Sequence, residues 1–239
     1  MNTDSMNSEN VDAAEIEKFS ALASRWWDTE SEFKALHDIN PLRVDYIEQQ
    51  CAGLKQKKVL DIGCGGGILA EAMAARGAEV TGIDMAEMSL DVARMHLHET
   101  GLTVDYQKIT AEQFATENAG QFDVVCCLEM LEHVPDPASI IQAAAQALKP
   151  DGTLVLSTLN RNPKSFMLAI VGAEYIMKML PKGTHEYQKF LKPSELAQAA
   201  RAAGLEVTDI SGMSYNPLSR NYSLGRDIDV NYLMTCRPQ

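Results

Sequence analysis

The chain has 239 residues and a formal net charge of -12 at pH 7, a balance that repels phosphate backbones and argues against general nucleic-acid binding. Its five cysteines include no Cys-x-x-Cys pair, so neither a disulfide framework nor a zinc site is indicated. Residues 1–10 lack a signal-peptide pattern, and no apolar run reaches the ~20 residues that span a bilayer. We therefore expect a cytoplasmic protein.

The N-terminal part of the chain predicts two helices. Asp12 and Glu15 have the spacing of a capping box, which opens a helix. Asn40 followed by Pro41 predicts the start of a second helix, because asparagine is a favoured N-cap and proline fits the first helical position. The pair Trp26-Trp27 is expected to pack these helices, with closure over a cofactor or stacking on an aromatic acceptor as the alternative.

From residue 57 onward, short apolar runs alternate with helical stretches. This alternation is typical of a parallel sheet covered by helices, so we predict a Rossmann-like α/β fold. We divide the chain into a tail and helical lid at 1–52 and one domain at 53–239, with an insertion at about 160–190. The last two strands have no helix between them and should pair as an antiparallel edge. The predicted strands are 58–62, 79–83, 104–108, 122–127, 153–159, 206–210 and 230–236, and the predicted helices are 68–76, 86–100, 111–117, 137–148 and 193–203.

A glycine-rich loop at 61–67 joins the first strand to a helix. In such a loop the backbone comes close to a ligand, and helix N-terminal amides point at it. A dinucleotide fingerprint requires glycine where Ile68 stands, whereas the pattern D-x-G-x-G-x-G is met in full. Asp61 would repel a pyrophosphate but attract the ammonium and sulfonium of S-adenosylmethionine. We therefore expect Asp61, Gly63 and Gly65 to bind that cofactor, with a nicotinamide oxidoreductase as the weaker alternative.

Asp84 ends the second strand, 23 residues after Asp61. A carboxylate at this place accepts hydrogen bonds from ribose hydroxyls. Both S-adenosylmethionine and dinucleotide sites share this feature, so it does not discriminate between them. An ordinary turn residue at the end of a strand is the alternative interpretation.

Acidic and imidazole side chains follow the fourth strand, at the edge where open α/β sheets bind ligands. If this segment begins with a helical turn, Glu129, Glu132 and His133 share one face through i, i+3 and i+4 spacing. They would then hold Mg²⁺ or a similar divalent cation that lowers the pKa of an acceptor hydroxyl. The alternatives are a loop-shaping role and His133 acting as a plain general base. His37 and His185 are reserve bases, for which packing or surface roles are favoured.

These motifs resemble those of class I S-adenosylmethionine-dependent methyltransferases and, more closely, those of the ubiquinone biosynthesis O-methyltransferase family. The glycine loop is specific only to the superfamily, whereas the segments around Trp26 and Asn40 look specific to the family. The likeness covers nearly the whole chain after about residue 10 and runs through 24–28, 36–43, 59–69, 129–137, 157–161, 181–185 and 229–232.

The resemblance implies a seven-stranded, mostly parallel sheet with one antiparallel strand. It also implies methylation of catechol-type hydroxyls on polyprenylated ubiquinone precursors, a polyprenyl hydroxyphenol and a demethylubiquinol, and it agrees with a magnesium-type ion. It places cofactor contacts at Arg43, Gly63, Asp84 and Leu128, with Arg43 neutralising the methionine carboxylate. The alternatives are an O-methyltransferase for another small hydroxylated metabolite and a non-catalytic cofactor-binding subunit of a biosynthetic complex.

The insertion contains a mainly apolar run at 166–180, bordered by Lys164, Lys178 and Lys182. The run is too short to span a bilayer. It predicts either a buried lid helix over the acceptor pocket or an apolar face on the inner membrane surface, where a polyprenyl substrate resides. We expect a peripheral membrane contact through 166–180. A complex with other ubiquinone-pathway enzymes is a separate expectation.

Overall fold

The computed structural model describes residues 10–166, 187–216 and 221–239. Its strands are β1 Lys58–Ile62, β2 Glu79–Asp84, β3 Val104–Lys108, β4 Phe122–Leu128, β5 Leu148–Leu159, β6 Leu205–Asn216, β7 Asn221–Gly225 and β8 Asn231–Pro238. Its helices are α1 Ala13–Leu22, α2 Lys34–Gln50, α3 Ile68–Ala75, α4 Glu87–Thr100, α5 Ala111–Glu117, α6 Pro137–Ala147, α7 Pro163–Ser165 and α8 Pro193–Ala202, with single 3₁₀ turns at Ala23–Arg25, Leu131–His133 and Tyr187–Lys189.

The strands form one sheet in the order β3-β2-β1-β4-β5-β8-β6-β7. Strands β1 to β5 pair in parallel, and β8 runs antiparallel to both β5 and β6. This topology confirms the predicted Rossmann-like fold. Because the strand order reverses between β1 and β4, a crevice opens at the carboxyl ends of these two strands, which is where such sheets bind ligands.

The sheet has eight strands within the described ranges, so the predicted count of seven is wrong. The additional strand is β7, whose side chains alternate between exposed and half-buried. None of its side chains is buried, so the sequence carries no stripe of core residues from which periodicity could detect the strand. Strands β6 and β8 do pair antiparallel as expected. However, β8 lies inside the sheet, with its side chains buried from Tyr232 to Cys236, and the edge is β7.

Two apolar layers cover the two faces of the sheet. On one face, α5, α6 and α8 contribute Phe114, Ile141 and Leu196 to the core. On the other face, α2 and α3 contribute Ile47 and Met73. Side chains of β1, β2, β4, β5 and β8 divide between these layers, as the pleat of a strand requires. The result is a rigid platform that fixes the loops at the carboxyl ends of the strands.

Of the two N-terminal helices, one begins where the sequence predicts and the other does not. Asp12 is the N-cap of α1 and accepts hydrogen bonds from the backbone of the first turn, as expected. Asn40 and Pro41 do not begin a helix, because α2 starts at Lys34 and contains Pro41 in its interior. Asn40 is buried and donates its Nδ2 hydrogen to the carbonyl of Ile68 at 3.0 Å. Tertiary contacts of α2 thus override the local start signal.

In the described ranges, no helix has the length and apolar character needed to cross a membrane. The predictions made for the apolar run 166–180 and for His185 lie outside these ranges, except for Phe166. Its side chain is 41% exposed, and its ring packs edge-on against Tyr187.

Candidate active site

A cavity of about 1060 Å³ lies at the carboxyl ends of β1, β2 and β4, beneath α1 and α2. It collects every position that the sequence singled out for the cofactor, together with the predicted acidic and imidazole cluster. These lining residues are Arg43, Asp61, Gly63, Gly65, Asp84, Leu128, Glu129, Glu132 and His133. The order of the strands explains this convergence, since the carboxyl ends of parallel neighbours meet at one edge.

The glycine loop adopts a backbone that other residues rarely adopt. Gly65 has a φ of +52°, and a Cβ atom there would lie 2.6 Å from the ring of Trp26. The Gly65 amide donates to Asp84 Oδ2 at 2.9 Å, which ties the loop to the end of β2. Glycine at this place therefore satisfies both a left-handed conformation and a close approach of an indole ring.

The tryptophan pair fixes the lid to the glycine loop. Trp26 is 7% exposed, stacks on Phe33 with ring centroids 3.9 Å apart, and lines the cavity. Trp27 donates its Nε1 hydrogen to the Gly66 carbonyl at 3.0 Å, and its ring stacks on His96. The expected packing role is confirmed, and Trp26 in addition forms part of the pocket wall.

Asp61 is a buried acid with an unsatisfied oxygen. It is 2% exposed, and its Oδ2 has no hydrogen-bond partner in the described part of the chain. Burial and the nearby carboxylate of Asp84 raise the pKa of Asp61 to about 7, while Arg43 opposes the shift. A cationic ligand group beside Asp61 would restore its charge and supply the missing partner.

Arg43, which is 5% exposed, brings a positive charge into the same pocket. Its Nη2 lies 3.0 Å from Glu129 Oε1, so the two form an ion pair by distance. The contact does not have the geometry of a hydrogen bond. Neither Nε nor Nη2 of Arg43 has a hydrogen-bond partner among the residues described. The guanidinium therefore keeps free donors for an anionic group of a ligand.

These observations match the charges of S-adenosylmethionine. Asp61 offers a carboxylate to an ammonium, and Arg43 offers donors to a carboxylate. Asp84 lines the pocket and already accepts hydrogen bonds from the amides of Gly65 and Ala86, and each carboxylate oxygen has a further lone pair for a ribose hydroxyl. The residues present therefore fit this cofactor.

The carboxyl end of β4 carries two acids with different surroundings. Glu129 has a φ of +53°, and its Oε1 accepts hydrogen bonds from Ser157 Oγ at 2.7 Å and Asn231 Nδ2 at 3.0 Å. Glu132 is buried and accepts a hydrogen bond from Thr158 Oγ1 at 2.8 Å. Burial and the charge of Glu129 raise the pKa of Glu132 above its ordinary value. Glu132 therefore holds a proton more readily than an exposed carboxylate.

His133 forms an imidazole–carboxylate pair with Glu15 of α1. Its Nδ1 lies 2.9 Å from Glu15 Oε2. The hydrogen bond with His133 lowers the pKa of Glu15 to about 2. Burial lowers the pKa of His133, but the hydrogen bond to Glu15 and the charge of Glu132 together raise it above its usual value. A carboxylate on one ring nitrogen orients the imidazole and leaves Nε2 for another group.

Comparison with known proteins agrees with this geometry. A family model described as a methyltransferase domain matches residues 37–210. The ubiquinone biosynthesis O-methyltransferase of Pseudomonas aeruginosa (strain LESB58) is 65% identical over 225 residues, which cover 94% of this chain and 97% of that protein. The protein of the same name from Marinobacter nauticus is 62% identical over 97% of this chain and 98% of its own length. This chain belongs to the ubiquinone biosynthesis O-methyltransferase family.

The fold of this O-methyltransferase occurs in more distant enzymes as well. The crystal structure of magnesium protoporphyrin IX methyltransferase from Synechocystis PCC 6803 with bound SAH superposes with a TM-score of 0.68 and 17% identity, over 95% of this chain and 99% of that one. At such identity the likeness establishes the fold alone. It agrees with the Rossmann-like topology of the described strands.

The predicted helical face for a metal is not present in this O-methyltransferase. Only Leu131–His133 form a turn, and Glu129 precedes it in a left-handed conformation. As a result, Glu129, Glu132 and His133 turn to different partners. Throughout 10–166, 187–216 and 221–239, no three His, Cys, Asp or Glu side chains come together as a metal site. The shared-face geometry was therefore wrong, although all three residues line the pocket.

Two residues of the lid, His37 and Glu15, make contacts with other residues of the pocket region. His37, a reserve base, lies with its Nε2 2.8 Å from the Trp26 carbonyl and so serves packing. Glu15 was expected to close a capping box, but its carboxylate contacts His133, 118 residues away in the sequence. No local pattern indicates a contact of that separation. The O-methyltransferase pocket thus includes an acid from α1 that sequence reasoning assigned to a helix end.

Proposed function

We propose that this chain transfers the methyl group of S-adenosylmethionine to catechol-type hydroxyls of polyprenylated ubiquinone precursors, a polyprenyl hydroxyphenol and a demethylubiquinol. One observation carries the proposal: a single pocket joins the charged pair Asp61 and Arg43 to the proton-exchanging groups Glu132 and His133. The name shared by the 65% and 62% identical relatives supports the choice of pathway.

The cofactor would be held by charge complementarity. Arg43 receives the methionine carboxylate, Asp61 receives the ammonium, and Asp84 accepts the ribose hydroxyls. Gly63 and Leu128 line the same cavity and provide close backbone and apolar contact. When bound, S-adenosylmethionine supplies an electrophilic methyl group on its sulfonium. The protein's share is to align the acceptor oxygen with that group and to exclude water.

The acceptor must lose a proton, because a free phenol ionises only near a pKa of ~10. Glu132, whose pKa is raised by burial and by the charge of Glu129, is a stronger base than an ordinary carboxylate and can accept that proton. His133 is held by Glu15 through Nδ1 and has Nε2 left to act as a base. Glu129 would position the acceptor end of the pocket through its hydrogen bonds with Ser157 and Asn231.

A divalent cation such as Mg²⁺ at Glu129, Glu132 and His133 is part of the proposal. Two neighbouring carboxylates in a buried site repel each other, which is one reason for the raised pKa of Glu132, and a cation would relieve this repulsion. Bound there, it would lower the pKa of the acceptor hydroxyl. The present partners of the three side chains would have to give way. Exhaustive chelation followed by addition of Mg²⁺ tests this part, since activity that survives chelation leaves Glu132 and His133 as bases without a metal.

The decisive experiment is a transfer assay with labelled S-adenosylmethionine and a demethylated polyprenyl quinol. Mass spectrometry should locate the new methyl group on the quinol oxygen. Asp61→Asn should reduce transfer, whereas Asp105→Asn, at an exposed position of β3, should not. Methylation of short-chain catechols but of no polyprenyl quinol would instead indicate another hydroxylated metabolite. Binding of S-adenosylhomocysteine without any turnover would indicate a non-catalytic subunit.

Peripheral contact with the inner membrane face through 166–180 also belongs to this proposal. A polyprenyl substrate partitions into the bilayer, so the enzyme must reach its head group at the surface. Exposure of Phe166 at the start of this run agrees with such a contact. Liposome flotation of the full chain and of a deletion of 166–180 tests it, and equal binding of both would contradict it. Association with other enzymes of the pathway stays a prediction.

A further inference from the structure

One wall of the pocket is formed by residues other than those assigned to the cofactor. It is formed by the carboxyl end of β5 and by β6, β7 and β8, which lie on the other side of β1 and β4 from the strand that carries Asp84. Its lining residues are Leu159, Met213, Tyr215, Tyr222, Val230 and Asn231. Most of these side chains are apolar or aromatic, and β7, which contributes Tyr222, is the strand that the sequence did not predict.

Two tyrosines face each other on this wall. Tyr215 of β6 and Tyr222 of β7 are direct register partners, and their ring centroids are 4.8 Å apart at an interplanar angle of 43°. Both rings are half-buried. Met213, two residues before Tyr215 and therefore on the same side of the strand, is 5% exposed and supports the wall from the sheet. The arrangement presents a fixed aromatic surface to the cavity.

The wall lies close to the charged part of the pocket. Burial raises the pKa of Tyr222 to about 12, the charges of Asp38 and Tyr215 add to this, and Arg43 opposes it. Tyr222 is therefore a neutral phenol. The sheet register gives the position of the wall, because Met213 of β6 pairs with Asn231 of β8. Asn231 in turn contacts Glu129, so the wall and Glu129 are joined through one residue.

A polar end exists at that position. Asn231 donates its Nδ2 hydrogen to Glu129 Oε1 at 3.0 Å, while its buried Oδ1 has no partner within the described ranges. Pockets that orient a ligand combine an apolar or aromatic wall with a few convergent polar groups of this kind. Tyr222 and Asn231 line one cavity, the first with an aromatic ring and the second with a buried acceptor that has no partner among the described residues.

We propose that Tyr222, supported by Tyr215, is the specificity-determining wall for an aromatic acceptor, whose ring packs on Tyr222 while its hydroxyl points toward Asn231 and Glu129. This inference rests on the proposed function and names the part of the pocket that selects an aromatic acceptor. Its energetic basis is the offset or tilted packing of aromatic rings. The ring of Tyr222 is the required element, and its hydroxyl is not.

The test compares Tyr222→Leu and Tyr222→Phe in the full chain, with Ser223→Ala as a control that removes an exposed hydroxyl from the same strand. The probe is a demethylated quinol with one short prenyl unit, and KM, calorimetric Kd for the quinol and Kd for S-adenosylhomocysteine are measured. We expect Tyr222→Leu to raise KM and Kd for the quinol about tenfold and to leave the S-adenosylhomocysteine Kd within about twofold. Tyr222→Phe and Ser223→Ala should behave as wild type.

Three results would overturn the inference: an unchanged quinol KM in Tyr222→Leu, an equal loss in Tyr222→Phe, or a parallel loss of S-adenosylhomocysteine binding in Tyr222→Leu. If Tyr222→Leu does not fold, Tyr222→Phe and Tyr222→Trp decide, because both retain a ring and should keep the quinol KM. If wild type transfers no methyl group to the quinol, the proposed function fails. In that case the quinol Kd values of the variants still test the wall, independently of methyl transfer.

Discussion

The buried carboxyl of Asp61 should make the ligand-free protein less stable than it would be with an amide at that position. The pKa of Asp61 rises from 3.8 to about 7 on folding, so its protonated form is favoured in the folded protein. The associated stability is present below the ordinary pKa and is lost as pH rises through about 7. At alkaline pH, a shift of this size lowers the free energy of unfolding by up to about 4 kcal/mol.

Asp61→Asn should therefore raise the free energy of unfolding of the ligand-free protein at pH 8, by up to about 4 kcal/mol, and have little effect near pH 4. The same change should weaken S-adenosylhomocysteine roughly 10- to 150-fold, because it removes one charge-assisted hydrogen bond. In wild type, Kd should rise about tenfold per pH unit below 7, since the ligand requires the ionised acid. In Asp61→Asn this dependence should disappear.

Urea denaturation at pH 4 to 8 and calorimetry with S-adenosylhomocysteine measure both effects. Asp105→Asn removes the same charge from an exposed position of β3 and serves as the control. The same stability profile in Asp61→Asn and Asp105→Asn, or a wild-type Kd that does not change between pH 5.5 and 8, would refute a raised pKa at Asp61.

Two further substitutions test other contacts of the pocket. Gly65→Ala should destabilise the protein and weaken S-adenosylhomocysteine binding, because the new Cβ would lie 2.6 Å from Trp26. Gly101→Ala is the control, since Gly101 also has a positive φ, +69°, but a Cβ there would have no atom within 4 Å. Equal losses of melting temperature in the two variants would contradict a clash with Trp26. Glu15→Gln should reduce the loss of stability on acidification between about 4.5 and 2, the range over which the Glu15 carboxylate takes up its proton. Acid unfolding followed by circular dichroism measures this effect, and an identical profile in the exposed control Glu17→Gln would rule it out.

Periodicity predicted the parallel half of the sheet because each strand there carries at least two buried side chains and lies between strong helix and turn signals. Strands β1 and β3 match their predicted bounds, and β2 and β4 are each one residue longer. The prediction failed at β7, which has no buried side chain. It also failed at Pro41, where burial of α2 against the rest of the protein outweighs a local start signal.

The residues of the site also divide into those that the sequence predicts and those that depend on tertiary contacts. Asp61 and Asp84 stand at the carboxyl ends of strands, so their meeting in one pocket follows from the topology alone. The pairing of Glu15 with His133 depends on how α1 docks, and residues 118 positions apart carry no local signal of it. The turn after β4 was predicted as helical, but the left-handed conformation of Glu129 is a local strain that side-chain spacing does not reveal.

The lid contributes chemistry as well as cover. Glu15, Trp26 and Arg43 all precede residue 53, yet each lines the cavity. Residues 53–239 hold the strands of the sheet, the glycine loop, Asp84 for a ribose and Asp61 for an ammonium. The donor for an amino-acid carboxylate, Arg43, and the acid that orients His133, Glu15, both come from the lid. The two charges of the amino-acid half of the cofactor are thus received by different parts of the chain, so the way the lid docks on the sheet decides whether both are bound at once.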